Sequence, residues 1–243
     1  MPIPRFYCPF PLPHEGLVTL PDNVAQHAIG ALRLRDGDAL TLFNGDGREH
    51  RGVLVRQGKH AQAHLLAVET VDRESPLDIT LVQGISTGER MDYTLQKSVE
   101  LGVRAMLPVM MLRTVVRLEP AKRHKRRQHW LGVAASACEQ CGRNRLPDIL
   151  EIEEFTDWLA RTRHDTTPRF ILDPEAGTRL SGMPRPDGPV CLIAGPEGGF
   201  DPREREAALA AGCTPISLGP RILRTETAAV AALAAIQGLW GDL

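Results

Sequence analysis

Over the first 72 residues the apolar positions come in short alternating or continuous runs, at 17–20, 39–43, 52–55 and 61–68, with turn residues between them. Runs of that length and spacing predict β-strands. Asn44-Gly45-Asp46-Gly47 lies between two of these runs. No helix follows its glycines, so it predicts a hairpin turn and not a nucleotide-binding loop. One short helix, over 23–34, interrupts the strands. The pattern predicts a small barrel-like module over 1–72.

Arg73-Glu74-Ser75-Pro76 is a polar break, after which the periodicity changes. Strands are predicted at 77–83, 104–110, 169–172, 190–194 and 215–218. Helices are predicted at 88–101, where Met91, Leu95 and Val99 recur at spacing four, and at 120–141, where Gly142 stops the helix. Three more follow at 155–163, 201–211 and 225–239. Strands alternating with helices imply an α/β domain over 77–243, built on a parallel sheet with both faces covered. The last helix, from Ala228 to Ile236, is apolar nearly all round. It either lies deep in the domain or packs on a second copy. Its small residues permit close approach and point to a homodimer face.

Two predicted strands run into glycine-tight turns that open helices. They are Leu192-Ile193-Ala194-Gly195-Pro196-Glu197-Gly198-Gly199-Phe200 and Leu218-Gly219-Pro220-Arg221-Ile222-Leu223-Arg224-Thr225-Glu226-Thr227-Ala228-Ala229. In a parallel sheet both turns fall at the same end, where α/β proteins hold small ligands. Neither turn has the spacing of a dinucleotide or P-loop fingerprint. Gly195, Gly198 and Gly199 permit close backbone approach to a ligand. A side chain at Gly198 is expected to block that approach while leaving the fold in place.

Composition adds bounds. The 243 residues are 42% apolar and 24% charged, ordinary for a soluble protein. The start lacks a basic segment followed by an apolar one, so a cytoplasmic location is expected. Five cysteines and no export signal imply reduced thiols. Cys138-Glu-Gln-Cys141 has the spacing of half a zinc site, but no second pair completes it, so no metal is expected. The net charge of −1 conceals an asymmetry, because 101–150 holds ten Lys/Arg against three acids. That segment carries +7 and the rest of the chain −8. A localised positive field suits a polyanion.

The two turn segments, together with Gly88-Glu-Arg-Met-Asp-Tyr-Thr-Leu-Gln-Lys-Ser-Val-Glu-Leu-Gly-Val103 and Ala137-Cys-Glu-Gln-Cys-Gly-Arg-Asn-Arg-Leu-Pro147, closely resemble the bacterial methyltransferases that act on N3 of a uridine in 16S ribosomal RNA, the RsmE family of the SPOUT superfamily. His27-Ala-Ile-Gly-Ala-Leu-Arg33 and Leu42-Phe-Asn-Gly-Asp-Gly47 extend the resemblance to the N-terminal module. The resemblance implies a PUA-like β-barrel used in RNA binding and a SPOUT domain tied in a deep trefoil knot. It also implies S-adenosyl-L-methionine as cofactor, a homodimer, and 16S rRNA in the assembled 30S subunit as substrate. Two competing readings are a SPOUT enzyme acting on transfer RNA or on ribose O2′, and an inactive RNA-binding module.

By that resemblance Leu172, Gly195, Pro196, Glu197, Gly198, Gly199, Leu218, Gly219, Ile222, Leu223, Arg224, Thr225 and Thr227 line the cofactor pocket. Thr225 could equally cap the final helix. Methyl transfer to N3 needs a nitrogen relieved of its proton and a cation for the charge that develops on the pyrimidine oxygens. Arg221 and Arg224 are candidates for the cation, and Glu197 and Glu226 for a general base or for shaping the loops. Arg33, Arg90, Lys97, Arg143 and Arg145 are expected to contact RNA, and Lys122, Arg123, Lys125, Arg126 and Arg127 to add phosphate contacts. Two positions depart from the family pattern: Asp173 stands where relatives often have His, and Arg90 where Lys is common.

Overall fold

The structure is a computed structural model that describes residues 3–57 and 60–243. The chain divides into two compact units, one of residues 1–74 with 135–146, the other of 75–134 with 147–243.

The first unit contains strands β1 (Arg5–Tyr7), β2 (Gly16–Thr19), β3 (Ala39–Phe43), β4 (Arg48–Gln57) and β5 (His60–Thr70), with helix α1 (Asp22–Gln26) between β2 and β3. They form one sheet in the order β1-β3-β4-β5-β2, antiparallel except for the β1–β3 pair. The predicted strands and the hairpin turn at 44–47 are all present. The predicted helix divides, because α1 passes into a π-helical turn at His27–Ala31. β1 escaped the pattern because three residues are too few to show a period. Phe6, Leu40, Leu42, Leu54, Ala63 and Leu65 make a fully buried core.

Residues 135–146, which the sequence pattern assigns to the second module, pack with the first. Glu49 is the anchor, a buried carboxylate bound by Arg5, by Arg73 at 2.6 Å and by Asn144 Nδ2 at 3.3 Å. Burial would raise its pKa, but the two guanidiniums override that and hold it below the usual carboxylate range.

The second unit contains a sheet in the order β12-β10-β11-β6-β7-β8, with β9 also pairing with β7. The strands are β6 (Ile79–Gly84), β7 (Ala105–Met110), β8 (Asp148–Ile149), β9 (Glu153–Glu154), β10 (Arg169–Leu172), β11 (Val190–Ala194) and β12 (Thr214–Ile216). Every pairing is parallel. β10 and β11 are buried at every position, as a sheet covered on both faces requires. Its helices are α2 (Gly88–Glu100), α3 (Pro120–Cys141), α4 (Phe155–Arg161), α5 (Pro202–Ala210) and α6 (Thr225–Trp240), the last turns of α3 belonging to the first unit. α5 starts on a capping box: Asp201 accepts from Arg203 N at 3.1 Å and Glu204 from Asp201 N at 3.4 Å, with Pro202 at the first helical position.

The sequence pattern allowed α6 to be buried on more than one side. In the single chain one face is buried, through Ala229, Ala232, Leu233 and Ile236, while Val230, Ala231, Ala234 and Ala235 are half-buried and Leu239 is exposed. No helix among the described residues is long and apolar enough to cross a membrane.

Candidate functional site

Both glycine turns sit at the carboxyl ends of parallel strands. β11 delivers Gly195 to Phe200, β12 delivers Leu218 to Arg224, and β10 ends beside them at Leu172. Between them lies a cavity of about 300 Å³. That is the lower end of the range for small-molecule sites. Its walls include every cofactor-site residue proposed from the sequence except Thr227, which is exposed on α6 outside the cavity. Asp173, Pro174, Ala194, Phe200, Ile216 and Ala228 also line it. Ala194, Phe200 and Ala228 belong to the turn segments that the sequence singled out, whereas Pro174 and Ile216 were missed because they lie at strand ends and not in the turns.

Three contacts fix the first turn. Gly84, the last residue of β6, approaches it so closely that a Cβ there would lie 2.5 Å from Pro196 N. Gln83, fully buried, donates from Nε2 to Gly195 O at 3.3 Å and to Thr225 Oγ1 at 3.1 Å. Thr225 passes the link on, its hydroxyl donating to Gly195 O at 2.6 Å. That hydroxyl does not cap α6; Arg224 occupies the N-cap position, with its carbonyl accepting from Ala228 N at 2.7 Å. The signal for Gln83 was its polarity at the end of an otherwise apolar strand.

Gly198 serves a different purpose from the one its sequence context suggests. A Cβ there would lie 2.8 Å from Arg113 O and from Arg113 Cβ. A side chain would therefore first push the segment after β7 away, so the expectation that such a change spares the fold does not hold. Arg113 NH1 also donates to Gly198 O at 3.3 Å.

The carboxylates differ in how they are held. Glu197 Oε1 accepts from Thr87 N at 2.7 Å and Thr87 Oγ1 at 2.8 Å, with Arg90 NH1 at 3.6 Å. Burial would push this carboxyl up, but the Thr87 donors and the Arg90 charge outweigh it and hold it below the ordinary range. Glu197 Oε2 is buried with no partner among the described residues. Glu226 lies 4.0 Å from Arg90 Nε and also has an unpartnered, buried Oε2, but it is not on the cavity wall. Asp173 accepts from Arg205 Nε at 2.7 Å and from Glu175 N at 2.9 Å. Arg221 and Arg224 are exposed on the wall, with no ion pair among the described residues.

The cations proposed for RNA fall into distinct groups. Arg143 is 5% exposed and bound to Glu74 at 2.6 Å and 2.9 Å, a buried ion pair of the first unit and not a free surface charge. Arg90 faces the two carboxylates, and Lys97 pairs with Glu100 at 2.7 Å. On α3, Arg123 pairs with Glu154 at 2.5 Å, and Arg127 donates to Ile149 O at 2.7 Å and pairs with Glu151 at 3.1 Å. Lys122 pairs with Glu119 at 3.1 Å, Lys125 is exposed and Arg126 half-buried. In the first unit Arg145 is exposed, and so is Arg33, whose φ of 56° is left-handed. Cys138 is buried, its thiol pushed up to about 12 by burial and its Sγ donating to Arg145 O at 3.7 Å.

The RNA methyltransferase domain profile matches residues 73–237, and the RNA methyltransferase PUA domain profile matches residues 20–66. The ribosomal RNA small subunit methyltransferase E of Buchnera aphidicola subsp. Schizaphis graminum is 35% identical over 242 residues, 99% of this chain and 98% of its own. That of Bacillus subtilis is 30% identical over 220 residues, covering 86% of this chain and 85% of its own. Among solved structures, the Neisseria gonorrhoeae ribosomal RNA small subunit methyltransferase E bound to S-adenosyl methionine superimposes with a TM-score of 0.91, at 44% identity over 99% of each chain. A methyltransferase from Legionella pneumophila in complex with the same cofactor gives 0.94, at 38% identity over 100% of each chain.

Proposed function

The chain belongs to the family of ribosomal RNA small subunit methyltransferases E, and from that premise we propose that it uses S-adenosyl-L-methionine to methylate N3 of one uridine in 16S rRNA. The observation that carries the reading is the cavity between the two glycine turns, at the carboxyl ends of β10, β11 and β12, in a chain that matches cofactor-bound relatives along its whole length.

The residues present fit the cofactor. Leu172, Ile216, Leu218 and Leu223 offer apolar walls for a flat heterocycle, and Glu197 Oε2 is a buried acceptor without a donor that suits a cationic ligand. When bound, S-adenosyl-L-methionine supplies a methyl carbon on a sulfonium. The chain's own work is positioning and electrostatics. The turn at Gly195, Pro196 and Gly199 and the turn at Gly219, Ile222 and Leu223 hold the donor, with Gln83 and Thr225 keeping the two turns in register. Arg221 and Arg224, free cations at the rim, take the charge that builds on the pyrimidine oxygens as N3 loses its proton. Glu197 shapes the loop.

The PUA-like unit supplies RNA affinity through Arg33 and Arg145, and Lys125 and Arg126 add phosphate contacts. A homodimer is supported by the half-buried Val230, Ala231, Ala234 and Ala235 and the exposed Leu239 of α6, together with Ile222, which is 85% exposed. The assembled 30S subunit as substrate and a trefoil knot in the second unit complete the reading. In a strain lacking the gene, nucleoside analysis of small-subunit rRNA should show the loss of 3-methyluridine and its return on complementation. Persistence of that nucleoside, with loss of another methylated one, would refute the assignment.

A further inference from the structure

We propose that the loop between β7 and α3, residues 111–118, is the ledge on which the target nucleotide docks, with Leu112 and Val115 against the base and Arg117 on a neighbouring phosphate. The inference rests on the methyltransferase reading and adds to it the surface that receives the substrate.

The loop is pinned at both ends by buried side chains, Met111 at 6% exposure and Leu118 at 8%. Between them Leu112 is 57% and Val115 66% exposed, so two large apolar side chains stand in solvent three residues apart. The backbone beneath them is nevertheless fixed. Thr114 Oγ1 accepts from Met111 N at 3.0 Å, and Thr114 N donates to Met111 O at 3.0 Å. Glu204 Oε1 accepts from Leu112 N at 2.8 Å, tying the loop to the capping box of α5. Arg113 reaches Gly198 O at 3.3 Å and Asp201 at 3.8 Å. Gly198 is itself on the cavity wall. The two exposed apolar side chains are thus carried by a rigid segment that touches the cofactor turn directly.

The chemistry of the position identifies its occupant. Methylation at N3 requires a base lifted out of its stack, and an extruded base is held by apolar or aromatic side chains on its faces. Leu112 and Val115 are apolar groups on the segment whose Arg113 touches Gly198 of the cavity wall. Arg117 is exposed, with no ion pair among the described residues, unlike Arg123 and Arg127 on the following helix. A nucleotide brings both an apolar face and an anion, matching the two apolar side chains and the cation that this loop presents together.

The test uses the full-length protein and small subunits purified from a strain that lacks 3-methyluridine. Leu112→Ser with Val115→Ser should lower affinity for the subunits about tenfold, the order expected for losing apolar contact with one base. The slope of log affinity against log salt should stay unchanged, as should S-adenosyl-L-methionine affinity by calorimetry. Arg117→Gln should lower that slope by about 0.7 to 0.9, the share of one phosphate. Wild-type RNA affinity in the double variant and a wild-type slope in Arg117→Gln would overturn the proposal, whatever modification the enzyme makes. So would a weakened dimer in sedimentation with intact RNA affinity, which would assign the ledge to a second copy. If the wild-type enzyme formed no 3-methyluridine while the variants still lost RNA affinity, the ledge would stand and the uridine-N3 reading would fall.

Discussion

Gly84→Ala tests whether the cofactor turn is set by the strand beneath it. The added Cβ would lie 2.5 Å from Pro196 N, 2.6 Å from Pro196 Cδ and 2.9 Å from Gly195 C. Two of these atoms are backbone and the third belongs to a proline ring, so no flexible side chain can swing clear. Restoring ordinary contact requires the turn or the strand to retreat by about 1 Å. Overpacking of this kind costs about 1–3 kcal/mol. In a chain of 243 residues each kcal/mol lowers Tm by about 2–4 °C. A displacement of about 1 Å at the site costs on the order of 100-fold in kcat/KM. Thermal unfolding, calorimetry with S-adenosyl-L-methionine and turnover on small subunits would measure the three effects. Gly37→Ala, in the first unit and away from the cavity, is the control. It has φ of 84° and no atom within 4 Å of its Cβ, so only the left-handed backbone cost of about 1–2 kcal/mol applies. Wild-type cofactor affinity and turnover in Gly84→Ala would refute the argument that close approach of Gly84 places the turn.

Three other substitutions separate structural charges from functional ones. Glu197 has its folded pKa below its unfolded value, so its bonds to Thr87 and Arg90 stabilise above about pH 4.3 and are lost as pH falls through the lower, folded value. Glu197→Gln should therefore lower stability at pH 7 by about 1–2 kcal/mol and flatten the decline below pH ~4 in acid titration monitored by circular dichroism; an unchanged acid limb would contradict this. Arg143→Ala breaks a buried pair and should cost about 3–5 kcal/mol by denaturant unfolding, whereas Arg145→Ala should leave stability unchanged and weaken RNA binding. The reverse pattern would return Arg143 to the RNA surface.

The sequence pattern located most of the second unit to within two residues because its longer helices and its apolar strand runs are separated by Gly, Pro and polar turns. β11 is apolar throughout and β10 is apolar after Arg169, and Gly142 marks the end of α3. β8 and β9 were missed, since two residues each carry no period and exist only because β7 offers them a partner. Long-range choices were hidden as well. Arg143 and Arg145 are alternate residues of one short segment, yet one is buried against Glu74 and the other lies in solvent. A charge count cannot distinguish them, because burial depends on where a distant carboxylate falls. Gly198 shows the same limit: its lack of a side chain reads as room for a ligand, whereas the group that needs the space is Arg113.

How the charges are held bears on how N3 gives up its proton. A general base works best with a pKa near the operating pH, and Glu197 is displaced the other way by Thr87 and Arg90. Taking a proton would cost it the two Thr87 bonds that also hold the cofactor turn. Glu226 stands off the cavity wall, facing Arg90. Arg221 and Arg224, in contrast, are on the wall with no carboxylate partner among the described residues, so their full charge is available to an incoming pyrimidine. A cation beside the pyrimidine oxygens stabilises the anion formed when N3 is deprotonated and thereby makes the nitrogen more acidic, which lets solvent accept the proton. On the proposed reading the anionic groups maintain the cavity's shape and Arg221 and Arg224 lower the barrier, so charge-neutral replacements at either should reduce kcat more steeply than they reduce cofactor affinity.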